Sequence, residues 1–134
     1  MKRFSLIRLV SQVSGVLFLL GMVACHGSTP ELDQEAPQID VMQPLDGHSQ
    51  AAGTPLFIEA YITENDALHG WEIIAINQGT GRQVGYHHGH EHTAVLHLRD
   101  TLLITGAMDC RLLIRADDHT GNSAEVESLI HFME

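Results

Sequence analysis

From Gln38 to Glu134 the apolar residues recur at every second position, and glycine, proline, asparagine or aspartate interrupts the pattern every 8 to 12 residues. Period two puts successive side chains on opposite faces of an extended chain, so such segments pair as half-buried strands. Ile39 and Val41 make a short first strand closed by Pro44. Leu56 to Thr63 makes a second, with Leu56, Ile58, Ala60 and Ile62 on one face. Trp71 to Asn77 groups Trp71, Ile73 and Ala75, and the turn Asn77-Gln78-Gly79-Thr80-Gly81 leads to a weaker strand from Arg82 to Tyr86. Ala94 to Arg99 turns Leu96 and Leu98 inward, Cys110 to Asp117 does the same with Leu112, Ile114 and Ala116, and Ser123 to Phe132 aligns Ala124, Val126, Ile130 and Phe132. Thr101 to Met108 fits strand and helix about equally.

Seven short strands in about 97 residues predict an all-β chain, a seven-stranded immunoglobulin-like sandwich of the cadherin or fibronectin kind. The single Trp71 falls on the third strand, where such sandwiches often bury one, and no cysteine pair spans the sheets as in antibody domains.

The first 24 residues have a different character. Lys2, Arg3 and Arg8 precede an apolar stretch from Leu9 to Met22 that ends in small residues at Ala24-Cys25. A basic start, an apolar middle and a small-residue cleavage site predict a signal peptide over 1–24. Plain secretion and an uncleaved anchor are the alternatives to a lipoprotein, although the apolar run is short for a bilayer crossing. Met22-Val23-Ala24-Cys25 resembles the bacterial lipoprotein signal, which implies that Cys25 is lipidated and becomes the first residue. His26 in place of aspartate next to it implies sorting to the outer membrane of a Gram-negative envelope. Residues 25–37 hold two prolines and few apolar groups, and they predict a solvated tether reaching about 40 Å when extended. The domain is expected over 38–134.

Once Lys2, Arg3 and Arg8 are removed, four basic residues face seventeen acidic ones, a net charge of about −13. That excess repels nucleic acid and anionic lipid headgroups, so the membrane partner is reached through the lipid alone. With Cys25 lipidated, Cys110 has no disulfide partner, and its apolar strand suits a small buried hydrophobe.

The stretch Ala116-Asp117-Asp118-His119-Thr120-Gly121-Asn122-Ser123-Ala124 looks like the last hairpin of many bacterial immunoglobulin-like and cadherin-like domains. With the lipoprotein signal and the His-Glu-His stretch, the body over about 36–134 resembles a functionally uncharacterised family of histidine-bearing, immunoglobulin-like lipoprotein domains of Gram-negative bacteria. Asp118, Gly121 and Asn122 carry the match best, whereas Cys110 stands where an aromatic residue is common. The resemblance implies a fold and an address, and no activity.

Chemistry is concentrated in Tyr86-His87-His88-Gly89-His90-Glu91-His92, four of the ten histidines within six residues. Imidazole suits zinc, copper and nickel, and a neighbouring carboxylate supports it. If strands traverse a sandwich alternately, the loops after the second, fourth and sixth share one end. That would bring His69 and His119, with Asp118, to the cluster of His87, His88, His90, Glu91 and His92. A polar loop or a pH-responsive patch are the bland alternatives. Asp66, Asp117 and Asp118 raise a cadherin-like calcium site, for which ordinary turn formation is the simpler account. His97 and His131 are expected on outward strand faces, and His48 and His131 toward the far end.

No nucleophile elbow, metalloprotease helix or phosphate-cradling loop occurs, so the sequence predicts no enzyme. Two functions follow: an envelope metal-binding lipoprotein, or a structural or adhesive module that pairs with another envelope protein and needs no metal.

Overall fold

The computed structural model describes residues 31–134. The predicted signal peptide, Cys25 and His26 lie outside the described residues. Those described fold without a helix into eight strands: β1 (Gln38–Gln43), β2 (His48–Ala51), β3 (Pro55–Thr63), β4 (Leu68–Asn77), β5 (Gln83–His90), β6 (Val95–Leu103), β7 (Met108–Asp118) and β8 (Ser123–Met133). They form a three-stranded sheet ordered β1-β3-β6 and a five-stranded sheet ordered β2-β8-β7-β4-β5. Pairing is antiparallel except between β2 and β8, which run parallel.

Both sheets turn one apolar face onto a shared core. Leu56, Ile58, Ala60 and Ile62 of β3 meet Ile73 and Ala75 of β4, Leu112, Ile114 and Ala116 of β7, and Ile130 and Phe132 of β8. Each large side chain buried there contributes about 1.5–3 kcal/mol, so the alternation seen in the sequence is the main source of cohesion. Cys110 is 1 % exposed, and burial, with the nearby Asp109 charge, pushes its thiol pKa up, which suits a packing role.

Three expectations change. Eight strands form rather than seven, because His48–Ala51 adds a parallel edge strand to β8. Its sequence, His-Ser-Gln-Ala, has no apolar alternation to announce it. Thr101 to Leu103 extend β6 against Leu56 and its neighbours, so the ambiguous segment contains no helix. The fourth predicted strand runs on to His90, so His87, His88 and His90 belong to a strand and not to a loop.

That extension depends on one close approach. On the inner side of β5, Gly89 lies opposite Trp71 of β4, and a Cβ there would come within 2.6 Å of the indole Nε1. Glycine is needed to lay this edge strand over the tryptophan. Gly89→Ala is therefore expected to cost about 1–3 kcal/mol by overpacking, read from denaturant unfolding followed by Trp71 fluorescence. Gly79→Ala, in the open turn, is expected to stay within about 0.5 kcal/mol of the parent. Equal midpoints for the two variants would contradict this account.

Candidate metal centre

Alternation decides where the β5 histidines point. On β4, Trp71, Ile73 and Ala75 face the core, so Glu72 and Ile74 face outward. Their β5 partners are His88 and Tyr86, and Gly70 pairs with His90. Tyr86, His88 and His90 therefore share the outer face. Tyr86 stacks on His88 at 5.4 Å between ring centres, and His88 meets His90 edge-on at 6.3 Å. The Tyr86 hydroxyl donates to Glu72 Oε1 at 2.7 Å, which pushes the phenol pKa up.

His69 reaches this face through a bulge. Strict alternation from Trp71 would put His69 in the core and Leu68 outside. Instead Leu68 pairs with Asp118 and Gly70 with Asp117, so His69 is the extra residue in β4. The bulge buries Leu68 and exposes His69. Gly70 keeps the centre of the face clear, since a Cβ there would meet Asp117 Oδ1 at 3.3 Å and His90 Nδ1 at 3.7 Å.

Three connections meet at this end. The segment after β5 is fastened to its neighbours by backbone bonds from Glu91 N to His69 O (3.1 Å), Leu68 N to Thr93 O (3.0 Å) and Glu64 N to Ala94 O (2.8 Å). This brings His92 to the β7–β8 turn, where its Nδ1 lies 3.0 Å from His119 Nε2 and the rings are parallel within 4°. One of those nitrogens must donate and the other accept. His69 lies between the two groups, 4.9 Å from His119 and 5.3 Å from His90 by ring centres. Five imidazoles from three chain segments thus adjoin in the order His88, His90, His69, His119, His92.

His87 is not among them. It lies on the opposite side of β5, and its Nδ1 pairs with Asp100 Oδ2 of β6 at 2.8 Å, joining the free edges of the two sheets. Two further histidines are held by carboxylates. His131 pairs with Asp109 at 2.7 Å. His97 pairs with Glu59 at 2.6 Å and stacks on Tyr61 at 4.3 Å, so it is half-buried rather than merely solvent-facing. The hydrogen bond from His97, with Arg99 next in effect, holds the Glu59 carboxyl below its ordinary pKa. The paired histidines serve the fold, and the five adjoining ones have no carboxylate partner among the described ion pairs.

Asp118 stands beside the row rather than in it. Its Oδ1 accepts the backbone N–H groups of Thr120 (2.8 Å), Gly121 (2.7 Å) and Asn122 (2.8 Å), while Oδ2 accepts from Thr120 Oγ1 and Asn122 Nδ2. Asp118 shapes the turn that presents His119. Asp33, placed by the sequence in a solvated tether, docks here: its carbonyl accepts from Asn122 Nδ2 (3.0 Å) and its carboxylate from Asn65 Nδ2 (2.9 Å). Nothing in the tether's composition signals that contact.

Among the described residues, the one set of three ligand atoms within 4.8 Å of one another is Asp33, Glu64 and Asp118. Asp66 and Asp117 are not part of it. The histidines meet as adjoining pairs, not as a ready three-nitrogen cage. No family model and no curated protein matches this sequence.

Asp118 also sets an acid limit on stability. Burial alone would raise its pKa, but the bonds from Thr120 and Asn122 outweigh this and lower it from 3.8 to about 2. A depressed folded-state pKa stabilises the fold above the unfolded value, and that contribution disappears as pH falls through the folded one. The metal-free protein should therefore lose melting temperature between about pH 4 and pH 2, and Asp118→Asn should start lower and flatten that part of the curve. A variant with the parent's full acid slope would show that the loss lies elsewhere.

Proposed function

We propose that this chain is a non-enzymatic lipoprotein of the Gram-negative envelope that binds zinc, copper or nickel at one end of an immunoglobulin-like sandwich. Three strands over five, with β2 parallel to β8 along one edge, support the immunoglobulin-like reading. The observation that carries the metal reading is the pair His92 Nδ1 and His119 Nε2, 3.0 Å apart although 27 residues separate them in the chain. Two imidazoles on one tetrahedral zinc ion hold their nitrogens about 3.3 Å apart. Loss of the proton shared between the two nitrogens, with a turn of the rings that lets both lone pairs meet, would admit the ion.

His69 and His90 adjoin that pair and are the next ligands to be drawn in, with His88 beyond them. Glu91, anchored through its N–H to His69, is the nearest auxiliary carboxylate in the sequence. His87 is engaged with Asp100, and Asp118 acts on the site by fixing the turn that contains His119. The membrane partner in this reading is the lipid on Cys25, and the outer membrane is its address.

A structural or adhesive module pairing with another envelope protein is the second reading. It is favoured by exposed Met42, Leu45 and Phe57 around an open groove that His48 also lines, apart from the five adjoining histidines.

Calorimetric titration of the full-length chain in detergent separates the two. Micromolar binding of zinc or copper is expected, weakened at least tenfold in His92→Ala/His119→Ala, which corresponds to about 1.4 kcal/mol. Copper should also quench Trp71, whose ring lies beneath Gly89 between His88 and His90. Millimolar affinity that ignores the double substitution would remove the metal reading. Replacing Cys25 by serine should release the protein from the membrane fraction, and retention there would exclude the lipid anchor.

A further inference from the structure

The carboxylates of Asp33, Glu64 and Asp118 come from three separate segments: the stretch before β1, the end of β3 and the end of β7. Each offers an oxygen within 4.8 Å of the other two. Three like charges this close repel unless a cation lies among them, and none of the three shares in an ion pair among the described residues. Asp118 is 4 % exposed, and Asp33 and Glu64 are half-buried.

A second observation is independent of the clustering. Glu64 Oε1 accepts from Asn65 N at 2.9 Å, but Glu64 Oε2 is sealed from solvent and has no hydrogen-bond partner. Sealing a carboxylate oxygen away from every donor is costly, and a bound cation removes that cost. Further oxygens lie beside Asp118, whose Oδ2 is 2.8 Å from the Thr120 hydroxyl. The Asp33 carbonyl and the Thr120 hydroxyl are 3.3 Å apart, and both lie within hydrogen-bond reach of the Asn122 amide. The set contains no nitrogen or sulfur ligand.

The geometry points to a hard-cation site of the calcium class, formed by Asp33, Glu64 and Asp118 and separate from the histidine row. Calcium takes six to eight oxygens in loose geometry, which suits donors from three segments better than the strict octahedron of magnesium. Asp118 enters through Oδ2, where both present donors, Thr120 Oγ1 and Asn122 Nδ2, are side-chain groups that can rotate away. The ion would fasten the Asp33 segment to the body. It would also steady the imidazoles, because Asp118 adjoins His119 and Glu64 opens the connection into β4, whose second residue is His69.

Calcium alone is the probe, with the full-length chain in detergent stripped of transition metals. Binding of one equivalent is expected at about 1 mM or tighter, the range of extracellular calcium modules. It should raise the melting temperature and slow cleavage after Glu31 and Glu35 by a glutamate-specific protease. Glu64→Gln and Asp33→Asn should each weaken calcium at least tenfold. Because Glu64→Gln relieves the repulsion without an ion, its calcium-free melting temperature should match or exceed the parent's, whereas a merely structural glutamate would lower it. His92→Ala/His119→Ala should retain calcium while losing zinc, so failure of either site is visible by itself. No calcium binding at about 10 mM, binding as tight as the parent's in the two carboxylate variants, or loss of calcium in the histidine variant would each overturn the assignment.

Discussion

Strand β4 must pack Trp71, Ile73 and Ala75 against the core while two neighbours lie against it, and the arrangement of the histidine end follows from that constraint. β5 crosses so close to Trp71 that a side chain at position 89 has no room. With glycine there, the strand keeps its pairing through His90, and alternation turns Tyr86, His88 and His90 to the outer face. A one-residue bulge then reverses the parity of β4 at its start, so that Leu68 enters the core and His69 leaves it. The imidazole face is a consequence of core packing, because the positions that cannot point inward are the ones that carry histidine.

Electrostatics sorts the histidines into two populations. His87, His97 and His131 each lie against a carboxylate, and these pairs tie sheet edges or neighbouring strands together. His69, His88, His90, His92 and His119 lie against one another instead. The second population brings imidazoles from three chain segments together, whereas each of the first is held singly by its carboxylate. Next to the second population, the carboxylates of Asp33, Glu64 and Asp118 gather, and none of them pairs with a basic side chain among the described ion pairs. An acidic chain with no lysine beyond the second residue has few groups with which to neutralise them.

The strands were legible because the hydrophobic effect writes them at period two. Leu56, Ile58, Ala60 and Ile62 are predicted to share a face, and all four are buried together. The convergence of His69, His92 and His119 was legible for a coarser reason: alternate traverses of a sandwich leave alternate loops at one end. What the pattern missed had no apolar signature. β2 is a polar edge strand held by backbone bonds to β8, and the histidine stretch looks like a loop because its inner positions are occupied by glycine and by His87, whose partner is 13 residues away.

The sequence by itself determined an all-β body, its core residues, its acidity and the crowding of imidazoles into one region, because each depends on residue type and near-neighbour spacing. Only the tertiary structure decided which histidines are held by carboxylates, that a bulge turns His69 outward, and that Asp33 joins Glu64 and Asp118. Those outcomes depend on strand register and on contacts spanning up to 89 residues. One residue of register exchanges the two faces of a strand, and composition carries no record of that exchange.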